Sequence, residues 1–83
     1  MTTPDWLTQH GGESRTSKNG QSQVVYLAGQ PQYLLVLAPN TGKYGCKVSQ
    51  TNNGKRLDGG ASFPSPDAAF QGGFDDLRKA LGW

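Results

Sequence analysis

Apolar residues follow three rhythms along this chain, and each rhythm predicts a different element. Near the start, Trp6 and Leu7 stand between Thr3-Pro4-Asp5 and His10-Gly11-Gly12. Thr3 can cap a helix, Pro4 suits its first position, Asp5 meets the positive end of its dipole, and Gly11 suits its stop. A short helix over about residues 4–10 is predicted. Two turns are not stable alone, so this helix must dock or fray. Glu13 to Ser22 contains no apolar residue and reads as a flexible linker, 13–22.

From Val24 the rhythm becomes that of strands. Val24-Val25-Tyr26-Leu27 is β-branched and aromatic and is closed by Gly29 and Pro31. Tyr33-Leu34-Leu35-Val36-Leu37-Ala38 is a continuous apolar run closed by Pro39-Asn40-Thr41-Gly42. Tyr44 to Gln50 alternates, Asn53-Gly54 is a short hairpin signal, and Lys55 to Phe63 returns. Residues 24–63 thus predict an antiparallel meander of three or four strands. A two-residue Asn53-Gly54 loop pairs Tyr44 with Phe63, Cys46 with Ala61, Val48 with Gly59 and Gln50 with Leu57. Every apolar residue of both strands then lies on one face. Lys47 opposite Gly60, Ser49 opposite Asp58, and Thr51 opposite Arg56 take the other. A one-residue slip would mix the two sets.

The last rhythm is helical. Phe70, Phe74, Leu77 and Leu81 form one stripe after Ser65-Pro66-Asp67, which supplies a cap, a first position and a first-turn acid. Arg78 and Lys79 suit the last turn and Gly82 the stop, giving a helix over 66–81. It is long enough to lie across the apolar face of the meander. Gly73 falls on its stripe and implies a close approach to the sheet; Gly72 has no reason visible in the pattern. The run at 34–37 is apolar on both faces. Either Leu34 and Val36 face the helix and Leu35 and Leu37 point away, or the Pro39–Lys43 connection reverses the assignment. In each case two aliphatics need a second cover: Trp6 and Leu7, another protomer, or a partner.

Composition narrows the function classes. Only 34% of the chain is hydrophobic, with no Ile, and 12 of the 83 residues are Gly. That size holds one small domain, 1–83. No apolar run suits a membrane span or a secretory signal, so the expected location is cytoplasmic with no membrane partner. One Cys and one His exclude an internal disulfide and an all-protein structural zinc site. His10 stands in a segment expected to be poorly ordered, Cys46 falls on the apolar face where a thiol is inert, and adjacent Asp75 and Asp76 diverge on a helix. No phosphate-loop pattern is present. No catalytic residues, metal ligands or cofactor are predicted, and the chain reads as a non-enzymatic module.

The overall charge is +2, but Lys43, Lys47, Lys55 and Arg56 against Asp58 make residues 31–63 the basic part. Lys47 and Arg56 share the solvent face of the predicted hairpin, with Lys43 and Lys55 at its ends. Two partner classes follow. Leu35 and Leu37, turned away from the helix, would dock a protein or a second copy. The Lys43, Lys47, Lys55 and Arg56 face would lie along nucleic acid.

Three strands followed by a helix also resemble two known families. Gly54-Lys55-Arg56, Gly59-Gly60-Ala61-Ser62-Phe63 and Ser65-Pro66-Asp67-Ala68-Ala69 are similar to the last strand, turn and helix start of the DNA-binding domain of plant ethylene-response factors and integrases. Pro31-Gln32-Tyr33 and Asn53-Gly54-Lys55 are similar in placement to segments of the double-stranded RNA-binding domain. The first resemblance implies DNA reading from the exposed sheet face, where this chain offers Lys47 and Arg56. The second implies lysines at the start of the last helix, where this chain has Pro66-Asp67-Ala68 instead.

The fold expected is α+β: a short N-terminal helix, an antiparallel three- or four-stranded meander, and a C-terminal helix on one sheet face.

Overall fold

A computed structural model describes residues 3–57 and 61–83. The chain runs α1 (Asp5–Gln9), β1 (Glu13–Thr16), β2 (Ser22–Leu27), β3 (Gln30–Asn40), β4 (Lys43–Gln50) and α2 (Pro66–Leu81). The strands form one antiparallel sheet in the order β1-β2-β3-β4, and the fold is α+β.

Two tight turns set its register. Leu27 pairs with Gln30 across Ala28-Gly29, and Asn40 pairs with Lys43 across Thr41-Gly42. All four turn residues have positive φ, 54° and 77° in the first turn and 46° and 79° in the second. That is the two-residue geometry whose twist matches the flanking strands. Glycine fills the second position of each turn, while Ala28 and Thr41 sit in a left-handed region that L-residues adopt at some cost. Because these turns hold only two residues, β3 extends through both Pro31 and Pro39, which the pattern reads as strand ends. Pro31 sits beside the bulge at Val25/Tyr26, where ladder bonding is interrupted. Pro39 pairs with Tyr44, whose backbone N–H and C=O are both bonded to Phe63 on the other side, so no donor is required of Pro39.

The two-residue Thr41-Gly42 turn decides which face of β3 joins that of Cys46 and Val48, and β2 is matched to it across the bulge. Beyond it Val25 pairs with Tyr33 and Gln23 with Leu35, and Leu35 and Leu37 pair with Val48 and Cys46. These residues face α2, and Val25, Leu35 and Val48 are fully buried. A one-residue shift would have turned the opposite set inward. Leu35 and Leu37 are therefore core residues, not the exposed pair expected to meet a partner.

The linker expected over 13–22 instead begins with a strand. Glu13 to Thr16 pair with Tyr26 to Gln23. Polar side chains close the hairpin: Asn19 Oδ1 accepts from Ser17 Oγ at 2.7 Å and from the Gln21 amide at 3.0 Å, and Ser17 Oγ accepts from the Ser22 amide at 3.2 Å. Such side-chain-to-backbone bonds stabilise a turn without burying apolar area. At the other end, the described residues of the expected return over Lys55 to Phe63 make two isolated bridges, Ser49 with Arg56 and Tyr44 with Phe63. The expected Asn53-Gly54 turn is a longer loop. Gln50 N–H donates to Lys55 C=O and Gly54 N–H to Gln50 C=O, both at 2.9 Å, with Gly54 at φ 70°. The loop spans 51–54, so the pairing near it moves by two residues and Val48 C=O accepts from Leu57 rather than meeting Gly59. A two-residue shift preserves facing, and Arg56 stays on the side predicted for it. The expected pairings through Asp58, Gly59 and Gly60 lie outside the described residues.

Helix α2 follows its pattern closely. Ser65 Oγ accepts from the Ala68 amide at 3.2 Å, and Ala69, Phe70, Gly73, Phe74 and Leu77 are buried. Gly73 lies against Cys46 and Leu35, which accounts for its place on the stripe. Gly72 has an equally specific cause: a Cβ there would collide with the Cζ end of the Phe63 ring. Gly82, at φ 75°, ends the helix, with its own N–H on Lys79 C=O and Trp83 N–H on Arg78 C=O, both at 3.2 Å. That cap turns Trp83 back toward α1.

Helix α1 is docked on the same side. Leu7 is fully buried within the cluster that holds Phe74 and Leu77. Its N-cap is Pro4 rather than Thr3, whose hydroxyl lies 2.9 Å from Ser14 Oγ. His10 is also fixed, stacked on Trp83 with centroids 4.0 Å apart and planes 9° from parallel, and Trp6 meets Trp83 edge-on at 6.1 Å. Among the described residues no helix is long and apolar enough to cross a membrane.

Candidate docking face

Both helices cover one side of the sheet, so its other side is uncovered by any described element. Residues on that side follow from the register. Val24 pairs with both Arg15 and Leu34, Leu34 with Ser49, Val36 with Lys47, and Ser49 with Arg56. Tyr26 pairs with Glu13 across the first ladder. The centre of the face is apolar: Val24, Tyr26, Leu34 and Val36, each half-buried. An antiparallel sheet with one wet face ordinarily carries polar residues there. This one does not.

The rim is charged. Lys47 and Arg56 are exposed on the β4 side, and Lys43 stands at the far end beside the Thr41-Gly42 turn. Lys55 is exposed too, but it bonds to Gln50, whose register places it on the helix-covered side. Of the four expected cations, Lys47 and Arg56 therefore share the face, Lys43 borders it, and Lys55 leaves it. On the β1 side Arg15 lies over the Tyr26 ring, 4.7 Å from the centroid, and reaches Glu13 Oε1 at 3.2 Å. Both side chains of that ion pair are more than half exposed, so it adds little to stability. Its effect is to hold a guanidinium over the Tyr26 ring and occupy that side of it.

Of the two candidate surfaces, the one built on Leu35 and Leu37 is buried against α2. The aliphatics that adjoin the basic positions are instead Leu34 and Val36, because Val36 pairs with Lys47 across β3 and β4. Sequence reasoning missed Arg15, Val24, Tyr26, Leu34 and Val36 as members. A signal for the last two was present in the doubly apolar run, but the choice between Leu34 and Leu35 depends on the length of the Pro39–Lys43 connection, which closes as the two-residue Thr41-Gly42 turn.

No group of three or more His, Cys, Asp or Glu side chains that could hold a metal exists among the described residues. Cys46 is buried beneath Gly73. No known family model, curated protein or solved structure matches the chain.

Proposed function

We propose that this chain is a non-enzymatic protein-docking module, and that the open face of its sheet is the docking surface. One observation carries the reading: Val24, Tyr26, Leu34 and Val36 form an apolar centre that neither helix covers, bordered by Lys47 and Arg56. Exposed apolar patches rimmed by polar residues mark interaction sites. The cationic border calls for a partner of opposite sign, and like charges oppose pairing of the face with its own copy. The partner chemistry is therefore an apolar patch or strand flanked by Asp and Glu. A cytoplasmic setting, where a lone buried thiol such as Cys46 stays reduced, fits this reading.

Selection of binders from a random displayed peptide library tests it. Enriched peptides should carry aliphatic or aromatic centres with acidic flanks, and should shift the amide resonances of Val24, Leu34 and Val36. Val36→Glu should abolish that binding. Enrichment of basic peptides, or of binders that perturb only the helices, would overturn the proposal; a sedimentation mass of two chains that Val36→Glu returns to one would replace it with self-association.

A second reading rests on Lys47, Ser49 and Arg56 sharing one face. Those residues suit contact with a phosphate backbone. An anisotropy titration with duplex DNA, duplex RNA and single strands decides it. Binding tighter than about 100 μM that weakens steeply with salt supports this reading, since non-specific binders reach roughly 10⁻⁴–10⁻⁶ M.

A further inference from the structure

On the opposite side of the molecule, a groove of about 440 Å³ separates the start of α1 from the middle of α2. Thr3, Pro4, Asp5 and Trp6 line one wall and Gln71, Phe74 and Asp75 the other. The second wall is one face of a helix, since residues 71, 74 and 75 lie three and four apart. Two features of the lining are unusual together. Among the described residues it holds two carboxylates, Asp5 and Asp75, and no cation, on a chain whose overall charge is +2. It also holds an indole, Trp6, whose orientation is fixed by the edge-on contact with Trp83. Neither Asp5 nor Asp75 makes an ion pair among the described residues, and Arg78, one turn beyond Asp75, is outside the lining.

We propose that this groove binds a small organic ammonium ion. The argument is charge complementarity joined to shape. An indole face attracts a cation through its quadrupole, and Trp is the strongest of the aromatic side chains in this respect. Two carboxylates at the rim favour the same sign, and a bare metal ion would find no use for the Trp6 and Phe74 walls. The volume is that of a small-molecule site rather than of an ion site. A quaternary ammonium, with methyl groups against Trp6 and its charge toward Asp5 and Asp75, satisfies all three features. This inference is independent of the docking reading, because groove and open sheet face lie on opposite sides.

Choline titration followed by amide and indole resonances is the test. Saturable shifts at Trp6, Gln71 and Asp75 are expected, with the open-face residues unmoved. The neutral isostere 3,3-dimethylbutan-1-ol should bind more weakly. The double variant Asp5→Asn, Asp75→Asn should weaken choline about tenfold, the order expected for two partly solvated charge contacts, while keeping the parent spectrum elsewhere. A trimethyl-lysine peptide in a second arm distinguishes a free ligand from a side chain: equal shifts by peptide and choline assign the groove to the ammonium group wherever it is carried. Equal affinity for choline and its isostere, choline affinity unchanged in the double variant, or no saturable shift at Trp6 would each overturn the proposal.

Discussion

Strand β3 presents Leu35 and Leu37 to one side of the sheet and Leu34 and Val36 to the other, so neighbouring aliphatics of one strand occupy two different environments. On the helix side, Leu35 touches the space against Gly73 and is fully buried, as are Val25, Val48 and Leu77. On the open side, Leu34 and Val36 remain half-exposed between Val24 and the polar side chains of β4. Residue type is the same and the consequence is not. The first pair holds the fold together; the second adds little to folding and leaves apolar area available to a partner. In a chain with 34% hydrophobic residues, placing aliphatics where they bury poorly is a cost to stability that the proposed docking role would explain.

The largest expected effect lies on the covered side. Leu77 is fully buried in the middle of the α2 stripe, and Leu77→Ala should cost about 2–5 kcal/mol. Leu34→Ala, the matched change on the open side, should cost about 1 kcal/mol or less, since a half-buried side chain loses only part of a transfer energy of roughly 1.5–3 kcal/mol. Thermal melts of the two variants measure the contrast directly. Comparable losses would mean that the open face is sealed in the isolated protein and that the two sides do not differ as described.

A smaller effect tests how closely α2 approaches the turn of chain at Phe63. Replacing a helical Gly by Ala ordinarily stabilises by about 1 kcal/mol. At Gly72 the added methyl would meet the Phe63 ring, and overpacking costs about 1–3 kcal/mol. The steric term wins, so Gly72→Ala should lower the melting temperature, and Gly72→Ala combined with Phe63→Leu should recover part of the loss. A stabilised single variant would show that Phe63 does not rest on the helix.

Legibility of the sequence follows the same division. Helix α2 was readable to its ends, because a cap, a stripe and a C-terminal Gly all point to the same residues, and tertiary contacts only reinforce them. Tyr44 to Gln50 was readable because alternation and burial agree. What could not be read are features that carry no apolar signal. Glu13 to Thr16 is a polar edge strand, recognised only through its ladder to β2, and short charged edges are how sheets resist adding further strands. The bulge at Val25/Tyr26 and the left-handed Ala28 and Thr41 violate local preference, and local preference is all that a single sequence displays. Pro31 and Pro39 misled for the converse reason: proline ends a strand only where its missing donor is needed. The consequence reached the candidate site. Lys47 and Arg56 kept their expected face because a two-residue change of loop length preserves parity, whereas Leu35 and Leu37 turned inward because the connection to β4 closed as the two-residue Thr41-Gly42 turn.

The smallest expected effect on folding carries the most functional weight. Lys47 is exposed, lies on the open face opposite Val36, and makes no contact with the core cluster. Lys47→Ala should therefore change stability by no more than about 0.5 kcal/mol, as surface substitutions usually do. It should nonetheless weaken an acidic docking peptide, and weaken it more at low ionic strength, where the screening length is longer. Lys79→Ala is the matched control. It removes the same charge from the last turn of α2, on the covered side, and should leave peptide affinity unchanged. Measuring both variants at two salt concentrations separates a local contact from a loss of overall positive charge. If Lys79→Ala weakens the peptide as much as Lys47→Ala does, binding reads net charge rather than the open face, and the distinction between the two sides of the sheet has no functional counterpart.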